Sequence, residues 1–176
     1  MPRQDLVAHI PGLRRYARAL TGDAWAADDL VQDTLERACS RWRLWIVGTD
    51  LRAWLFTIMH NLHANQVRGT VRQAAVARLV DIDEAAAELG APSSAADTAL
   101  ALQRCLQQLP EDQRAVLLLV TLEDMGYAQV ARVLGIPQGT VMSRLSRARA
   151  RLRVLMDGPA PAAPVHAETP VLRRLK

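Results

Sequence analysis

The sequence has little of several residue types that other protein classes depend on. Aromatic residues make up 4% of the 176 residues, and lysine occurs only at Lys176. Cys39 and Cys105 lie far apart without a Cys-x-x-Cys pair, so neither a disulfide framework nor a cysteine zinc site is indicated. We expect both to be small core residues. Signal-peptide and membrane-spanning patterns are also missing, which predicts a cytoplasmic protein.

Alanine, leucine and arginine dominate instead, and the alternation typical of strands is nearly absent, which predicts an all-α protein. Net charge is +3 over residues 1–72, −4 over 73–99 and +4 over 100–156. We therefore predict two small helical domains, 1–72 and 100–156, joined by the acidic linker 73–99. A Pro/Ala-rich segment, 157–176, is predicted to be a flexible tail. A single helical bundle with an acidic surface loop is the alternative.

Residues 127–153 have the pattern of a helix-turn-helix. Tyr127, Val130 and Leu134 share one helical face, Gly135 suits the end of that helix, and Pro137 suits the first turn of the next. The second helix, starting between Pro137 and Thr140, buries an apolar stripe and turns hydroxyl and guanidinium groups outward. Such a face fits a DNA major groove, and free amides around Gly139 and Thr140 could receive a phosphate. An arginine-rich face exposed only to solvent is the weaker interpretation.

Three further helices are predicted in the N-terminal half: residues 4–20, weakened in the middle by Pro11-Gly12, then 24–41, then 51–68. The third is capped by Thr49 or Asp50. Its predicted core consists of Leu51, Trp54, Leu55, Ile58 and Leu62, with His60 and His63 on the far side.

The second predicted helix has one strongly acidic face. This acidic arc consists of Asp28, Asp29, Gln32, Asp33 and Glu36. An acidic surface does not favour DNA binding, so the arc must face water or a basic protein surface. The helix dipole alone could account for Asp28 and Asp29.

In this order the segments resemble the bacterial ECF sigma factors, small sigma factors that keep only the two promoter-binding domains. The resemblance covers roughly residues 4 to 156. It rests on AADDLVQDTLERA (26–38), DLRAWLFTIMHNL (50–62), LQQLPEDQRAVLLLVTLEDMGYAQVARVLG (106–135) and IPQGTVMSRLSRARARL (136–152). It implies a three- or four-helix sigma region 2 bundle, an acidic linker and a sigma region 4 helix-turn-helix.

The resemblance also implies a function for each surface. The chain would be a non-enzymatic, cofactor-free and metal-free subunit of core RNA polymerase, contacting the β′ clamp helices through the acidic arc and also the β flap. An anti-sigma factor would control it. Minus-ten DNA would be read by Gly48, Thr49, Asn61, Asn65, Arg68 and Arg72. Minus-thirty-five DNA would be read by Gln138, Gly139, Thr140, Ser143, Arg144, Arg147 and Arg151.

The chain departs from the family pattern at two places, VRGTVRQ after Asn65 and Ala128-Gln129 in the first helix of the helix-turn-helix. Two other functions fit parts of the sequence. A helix-turn-helix activator or repressor acting without polymerase would need no acidic arc. A metal-dependent helical enzyme would use His60, His63 and a carboxylate.

Overall fold

A computed structural model describes residues 2–45, 49–77 and 95–157, and these ranges form seven α-helices with a short 3₁₀ turn at Trp42–Leu44. The N-terminal unit contains α1 (Pro2–Thr21), α2 (Ala24–Ser40) and α3 (Leu51–Ala77). The C-terminal unit contains α4 (Ala95–Gln107), α5 (Glu111–Thr121), α6 (Tyr127–Leu134) and α7 (Gln138–Asp157). The predicted all-α fold is confirmed. The predicted flexible tail beyond Asp157 and residues 78–94 of the predicted linker lie outside the described residues.

Side-chain caps fix where α2 and α3 begin. The carboxylate of Asp23 accepts the Ala26 amide at 2.7 Å, and that of Asp50 accepts the Ala53 amide at 3.0 Å. Each cap satisfies an amide that has no partner within its own helix. The two helices then pack together, α2 burying a stripe of Ala27, Leu30, Val31, Thr34 and Ala38 between α1 and α3.

The predicted first helix is confirmed, and α1 continues unbroken through Pro11 and Gly12, because buried residues on both sides, such as Leu6 and Leu13, hold it against its neighbours. Two other predictions for the N-terminal half are wrong. Helix α3 passes its predicted end at Arg68 and reaches Ala77, since one glycine costs a helix only about 1 kcal/mol relative to alanine. Cys39 is exposed, because it lies one residue beyond the stripe that ends at Ala38, whereas Cys105 is buried as expected.

The helix-turn-helix forms as the sequence indicates. Gly135 ends α6 in the left-handed conformation, at φ +65°, and its amide donates to the Ala131 carbonyl. Helix α7 begins at Gln138 and packs on α4, α5 and α6 with Val141, Leu145 and Ala148 buried. The glycine turn therefore sets the angle at which α7 leaves the core.

The two units pack directly against each other, α3 lying along α6 and α1 contacting α4 and α5. As a result α3 has a second buried face, which includes Ala53, Phe56, Met59 and His63. The expectation that His63 lies on the far, open side of α3 is wrong. The sequence pattern predicts one apolar stripe, which is correct for a helix that packs against other helices on one side only. Helix α3 packs on two sides, so a second face is buried.

Candidate nucleic-acid interface

Helix α7 presents one continuous polar face on the side opposite its buried stripe. Thr140, Ser143, Arg144, Arg147 and Arg151 fall within about 100° of one another at 100° per residue. Four residues of the predicted minus-thirty-five set, Gln138, Ser143, Arg147 and Arg151, have exposed side chains, and Gly139 is exposed as well. Arg147 donates to the Ser143 carbonyl at 3.3 Å, along its own helix. This face is available to a DNA groove.

Contacts of Thr140 and Arg144 within the chain bear most on the predicted DNA contacts. The Thr140 amide donates to the Pro137 carbonyl at 2.9 Å. The expectation that this amide is free for phosphate is therefore wrong, because the first turn of α7 closes on Pro137. Arg144 forms a 3.0 Å ion pair with Asp112 and keeps 26% of its side chain exposed, so a contact with DNA would require the exchange of that partner.

A second polar stripe runs along α3. Asn61, Asn65 and Arg68 are exposed and follow the i, i+4, i+7 spacing of one helical face, and position 72 continues that register. Arg68 donates to the Asn65 side chain at 2.8 Å and to the Ala64 carbonyl at 3.0 Å. Thr49 is exposed just before α3, and Gly48 lies outside the described residues. Amide and guanidinium groups in a row can hold a nucleic-acid strand through phosphates and base edges.

The loop before α3 begins at a cluster of tryptophans. Trp42 lies 4.9 Å from Trp45 and 6.2 Å from Trp54 between ring centroids. All three are partly buried against the core. The cluster fixes the end of α2 relative to the start of α3, where the predicted minus-ten residues begin.

The acidic arc lies on the outer surface of α2. Asp28, Asp29, Gln32 and Glu36 are exposed, and Asp33 is half-buried. Arg14 pairs with Asp28 at 3.1 Å, and Gln32 donates to Glu36 at 3.0 Å. Apart from the Arg14 pair, the arc presents its negative charge to solvent.

Sequence reasoning missed an ionic cluster where the two units meet. Glu123, in the loop between α5 and α6, is 1% exposed. Its carboxylate accepts from Arg15 of α1, at 2.8 and 3.1 Å, and from Arg52 of α3 at 2.8 Å. Nearby, Gln129 of α6 donates to Asp50. That bond and the Ala53 amide lower the pKa of Asp50, although its slight burial acts to raise it.

The histidines of α3 lie at the same junction. His63 Nε2 is 3.6 Å from Glu111 of α5, and burial, reinforced by the charge of Arg114, lowers the pKa of His63 to about 4. Partial burial lowers the pKa of His60 as well, and the positive charge of Arg144 lowers it further. Among the described residues no three His, Cys, Asp or Glu side chains are grouped to hold a metal ion.

Comparison with known proteins assigns each of the two units to a known domain family. A family model described as the Sigma2 domain of PhyR matches residues 6–60, and Sigma-70, region 4 matches residues 99–152. The ECF RNA polymerase sigma factor EcfG of Rhodopseudomonas palustris (strain TIE-1) is 37% identical over 157 residues, which cover 88% of this chain and 84% of EcfG. The chain belongs to the ECF RNA polymerase sigma factors. It is therefore a transcription initiation factor that gives RNA polymerase promoter specificity.

Solved structures share the fold of this sigma factor. The sigma factor RpoE of Bartonella quintana, in complex with the anti-sigma factor NepR, matches with a TM-score of 0.75 and 33% identity over 89% of this chain and 97% of RpoE. CnrH, in complex with the cytosolic domain of CnrY, matches with a TM-score of 0.63 and 28% identity over 88% of this chain and 86% of CnrH.

No helix in the described ranges of the sigma factor is both long enough and apolar enough to cross a bilayer. The ionic cluster around Glu123 could not have been found from the sequence. Arg15, Arg52 and Glu123 are separated by up to 108 residues, and each has the residue type and position expected of an ordinary solvated surface group.

Proposed function

We propose that three helices of the sigma factor make three separate contacts. Helix α2 binds polymerase, α3 binds minus-ten DNA and α7 binds minus-thirty-five DNA. The observation that carries this proposal is the separation of charge on exposed faces. The acidic arc of α2 and the amide and arginine faces of α3 and α7 lie on different helices. A surface that repels DNA is thereby kept apart from the surfaces that bind it.

The acidic arc suits a basic protein surface, and we assign it to the β′ clamp helices. Opposite charges across an interface speed association and fix its orientation. The Arg14–Asp28 pair is exposed at both ends, with 53% and 48% of the two side chains accessible. Such a pair is worth at most about 1 kcal/mol, so Asp28 can exchange Arg14 for a polymerase residue at little cost.

The α3 stripe suits an unpaired strand. Asn61, Asn65 and Arg68 offer hydrogen bonds to base edges and to phosphates, while bases in a duplex would present only their groove edges to one helix. Extruding a base costs a few kcal/mol. Contacts from this stripe and from the loop around Thr49 would offset that cost.

The α7 face suits a duplex major groove. Arginine side chains can form bidentate bonds to guanine, and the small Gly139 and Ser143 permit close approach. We assign base contacts to Gln138, Ser143, Arg144 and Arg147, and backbone contacts around Thr140 and Arg151. The C-terminal unit would reach the promoter while contacting the polymerase β flap.

Control by an anti-sigma factor is part of the proposal. Two matching structures contain such a partner or its domain, NepR with RpoE and CnrY with CnrH. A comparable partner would cover the surfaces that polymerase and promoter need. We place this activity in the cytoplasm, where core polymerase is found.

The assignment of the acidic arc is tested by core-polymerase binding of the triple variant Asp29→Asn, Asp33→Asn and Glu36→Gln. Loss of three interface charges is expected to weaken binding at least tenfold, since truncating interfacial charge pairs costs about 2 kcal/mol or more. Asp157→Asn, an exposed carboxylate at the end of α7, controls for the loss of one negative charge outside the arc. Unchanged binding by the triple variant would contradict the assignment, and operator binding without polymerase would favour the regulator hypothesis.

A further inference from the structure

The first turn of α2 carries a tryptophan that the fold leaves in solvent. Trp25 is 87% exposed, more than any other large hydrophobic residue in the described ranges. Its neighbours Ala24 and Ala26 are exposed and small, so the indole stands clear of the helix surface. A ring that buries so little area adds little to the stability of the fold. The indole of Trp25 is therefore available to a partner.

Trp25 lies on the same face of α2 as the acidic arc, at its N-terminal end. At 100° per residue, Asp28 lies about 60° to one side of Trp25 and Asp29 about 40° to the other. Gln32 and Glu36, further along the helix, lie within about 20° of the direction of Trp25. The indole thus extends the arc along its own axis.

Asp29 is the carboxylate best placed to act together with Trp25. Residues four apart on a helix are neighbours, with about 5–6 Å between their Cβ atoms. Asp28 is paired with Arg14 at 3.1 Å, whereas the described part of the chain shows no ion pair of Asp29, which is exposed. An open indole and an open carboxylate therefore lie side by side at the start of the arc.

An aromatic face beside a carboxylate attracts a cation. The negative face of an aromatic ring holds a cationic group within about 6 Å of its centre, and tryptophan does so better than tyrosine or phenylalanine. Arginine fits both groups, because its planar guanidinium stacks on the ring while its N–H groups donate to the carboxylate. Within the ranges that the structure covers, an arginine lies over an aromatic ring only in the pair of Arg52 and Phe56 on α3. The face of Trp25 remains open.

We propose that Trp25 and Asp29 form the anchor of α2 on core polymerase, and we name this pair the α2 anchor. One arginine of the polymerase stacks its guanidinium on the indole of Trp25 and pairs with the carboxylate of Asp29. Trp25 has this role only if the acidic arc binds core polymerase, so the proposal rests on the proposed function.

Charge decides which kind of partner the α2 anchor takes. An exposed indole could also stack on a nucleic-acid base, but the carboxylates of the arc lie around Trp25 and repel phosphate groups. A basic protein surface matches both the ring and the carboxylates. The charges of the arc orient the polymerase, and the anchor then holds it through a contact of short range.

Core-polymerase affinity of the full-length protein substituted at Trp25 tests the anchor. Trp25→Leu keeps an apolar side chain without an aromatic face and is expected to weaken binding about tenfold, as for a tryptophan that dominates an interface. Trp25→Phe keeps a weaker aromatic face and is expected to weaken binding only about threefold. Val7→Ala changes an apolar residue of α1 that is 62% exposed, and this control keeps its affinity. Leucine favours a helix more than tryptophan does, so unwinding of α2 does not account for a loss.

A double-mutant cycle tests whether Trp25 and Asp29 hold the same group. If one guanidinium contacts both residues, Trp25→Leu and Asp29→Asn together weaken binding by less than the product of their separate effects. Effects that multiply would overturn the shared arginine. Equal losses for Trp25→Leu and Trp25→Phe would overturn the stacking.

The remaining outcomes separate the anchor from the proposed function. If Trp25→Leu binds core polymerase as the unsubstituted protein does, while the triple variant of the acidic arc loses binding, the anchor is wrong and the proposed function stands. If core polymerase binds no form of the protein, both fail. Sedimentation of the free protein covers one other occupant, since self-association that Trp25→Leu abolishes would give the anchor to a second copy of the chain and overturn its assignment to polymerase.

Discussion

At the scale of single residues, His63 shows how burial at the junction between the units changes the pKa of a side chain. Its side chain is buried on α3 beside Glu111 and Arg114 of α5. Burial favours the neutral imidazole, so the folded protein holds the pKa of His63 at about 4, against 6.5 for a free histidine. The stabilisation from neutral His63 is complete above pH 6.5 and is lost as pH falls from 6.5 towards 4.

Acidification from pH 7 to pH 5 is therefore expected to destabilise the protein more steeply than it destabilises His63→Gln. One proton taken up on unfolding corresponds to a slope of up to about 1.4 kcal/mol per pH unit. Urea unfolding at several pH values measures both slopes. Glu111, whose pKa burial raises, contributes with the opposite sign in both proteins. Equal slopes would contradict this prediction, because they would show that folding leaves the pKa of His63 unchanged.

Predictions about single residues succeed where the conformation of the residue depends on neighbours that are close in sequence. Gly135 is identifiable as a helix end because its conformation depends on the chain on either side of it. Glu123 and His63 are not identifiable, because their burial depends on residues far away in sequence. Cys39 was expected to be buried, but it lies one residue beyond Ala38, the last buried residue of α2, and is exposed.

At the scale of elements, α7 offers the sharpest test of promoter recognition. Arg147→Ala is expected to lower the affinity of the polymerase holoenzyme for promoter DNA about tenfold or more, because a lost arginine contact to a base costs about 1–3 kcal/mol. Arg104→Ala removes the same charge from the exposed surface of α4 and is expected to change affinity little. Filter binding at fixed salt measures both. Equal losses would mean that only net charge attracts DNA to this unit.

Element boundaries follow from the sequence mainly where a cap or a turn residue is present. Asp50 and Gly135 mark the start of α3 and the end of α6 correctly. The end of α3 carries no such signal, and Gly69 misleads because an interior glycine weakens a helix without ending it. The sequence also predicts the polar faces of α2 and α7, since each lies apart from an apolar stripe, whereas the minus-ten residues of α3 were predicted from the family resemblance.

At the scale of the whole molecule, the sequence predicts two helical units but not their packing. The periodicity of α3 indicates one buried face, whereas the structure buries a second face on the side that packs against α6. The contacts that join the units combine that apolar face with ion pairs and hydrogen bonds between residues far apart in sequence, and no local pattern distinguishes these positions from solvent-exposed ones. The packing of the two units is therefore a property that only the folded structure reveals.

The central claim is that this chain is a sigma factor that directs core RNA polymerase to promoters through its three separate surfaces. Run-off transcription with purified core polymerase on a genomic promoter library tests it most directly. The account predicts transcripts that start at a limited set of promoters, depend on the added protein, and are lost with the triple variant of the acidic arc. Core polymerase that neither binds the protein nor starts new transcripts in its presence would contradict it.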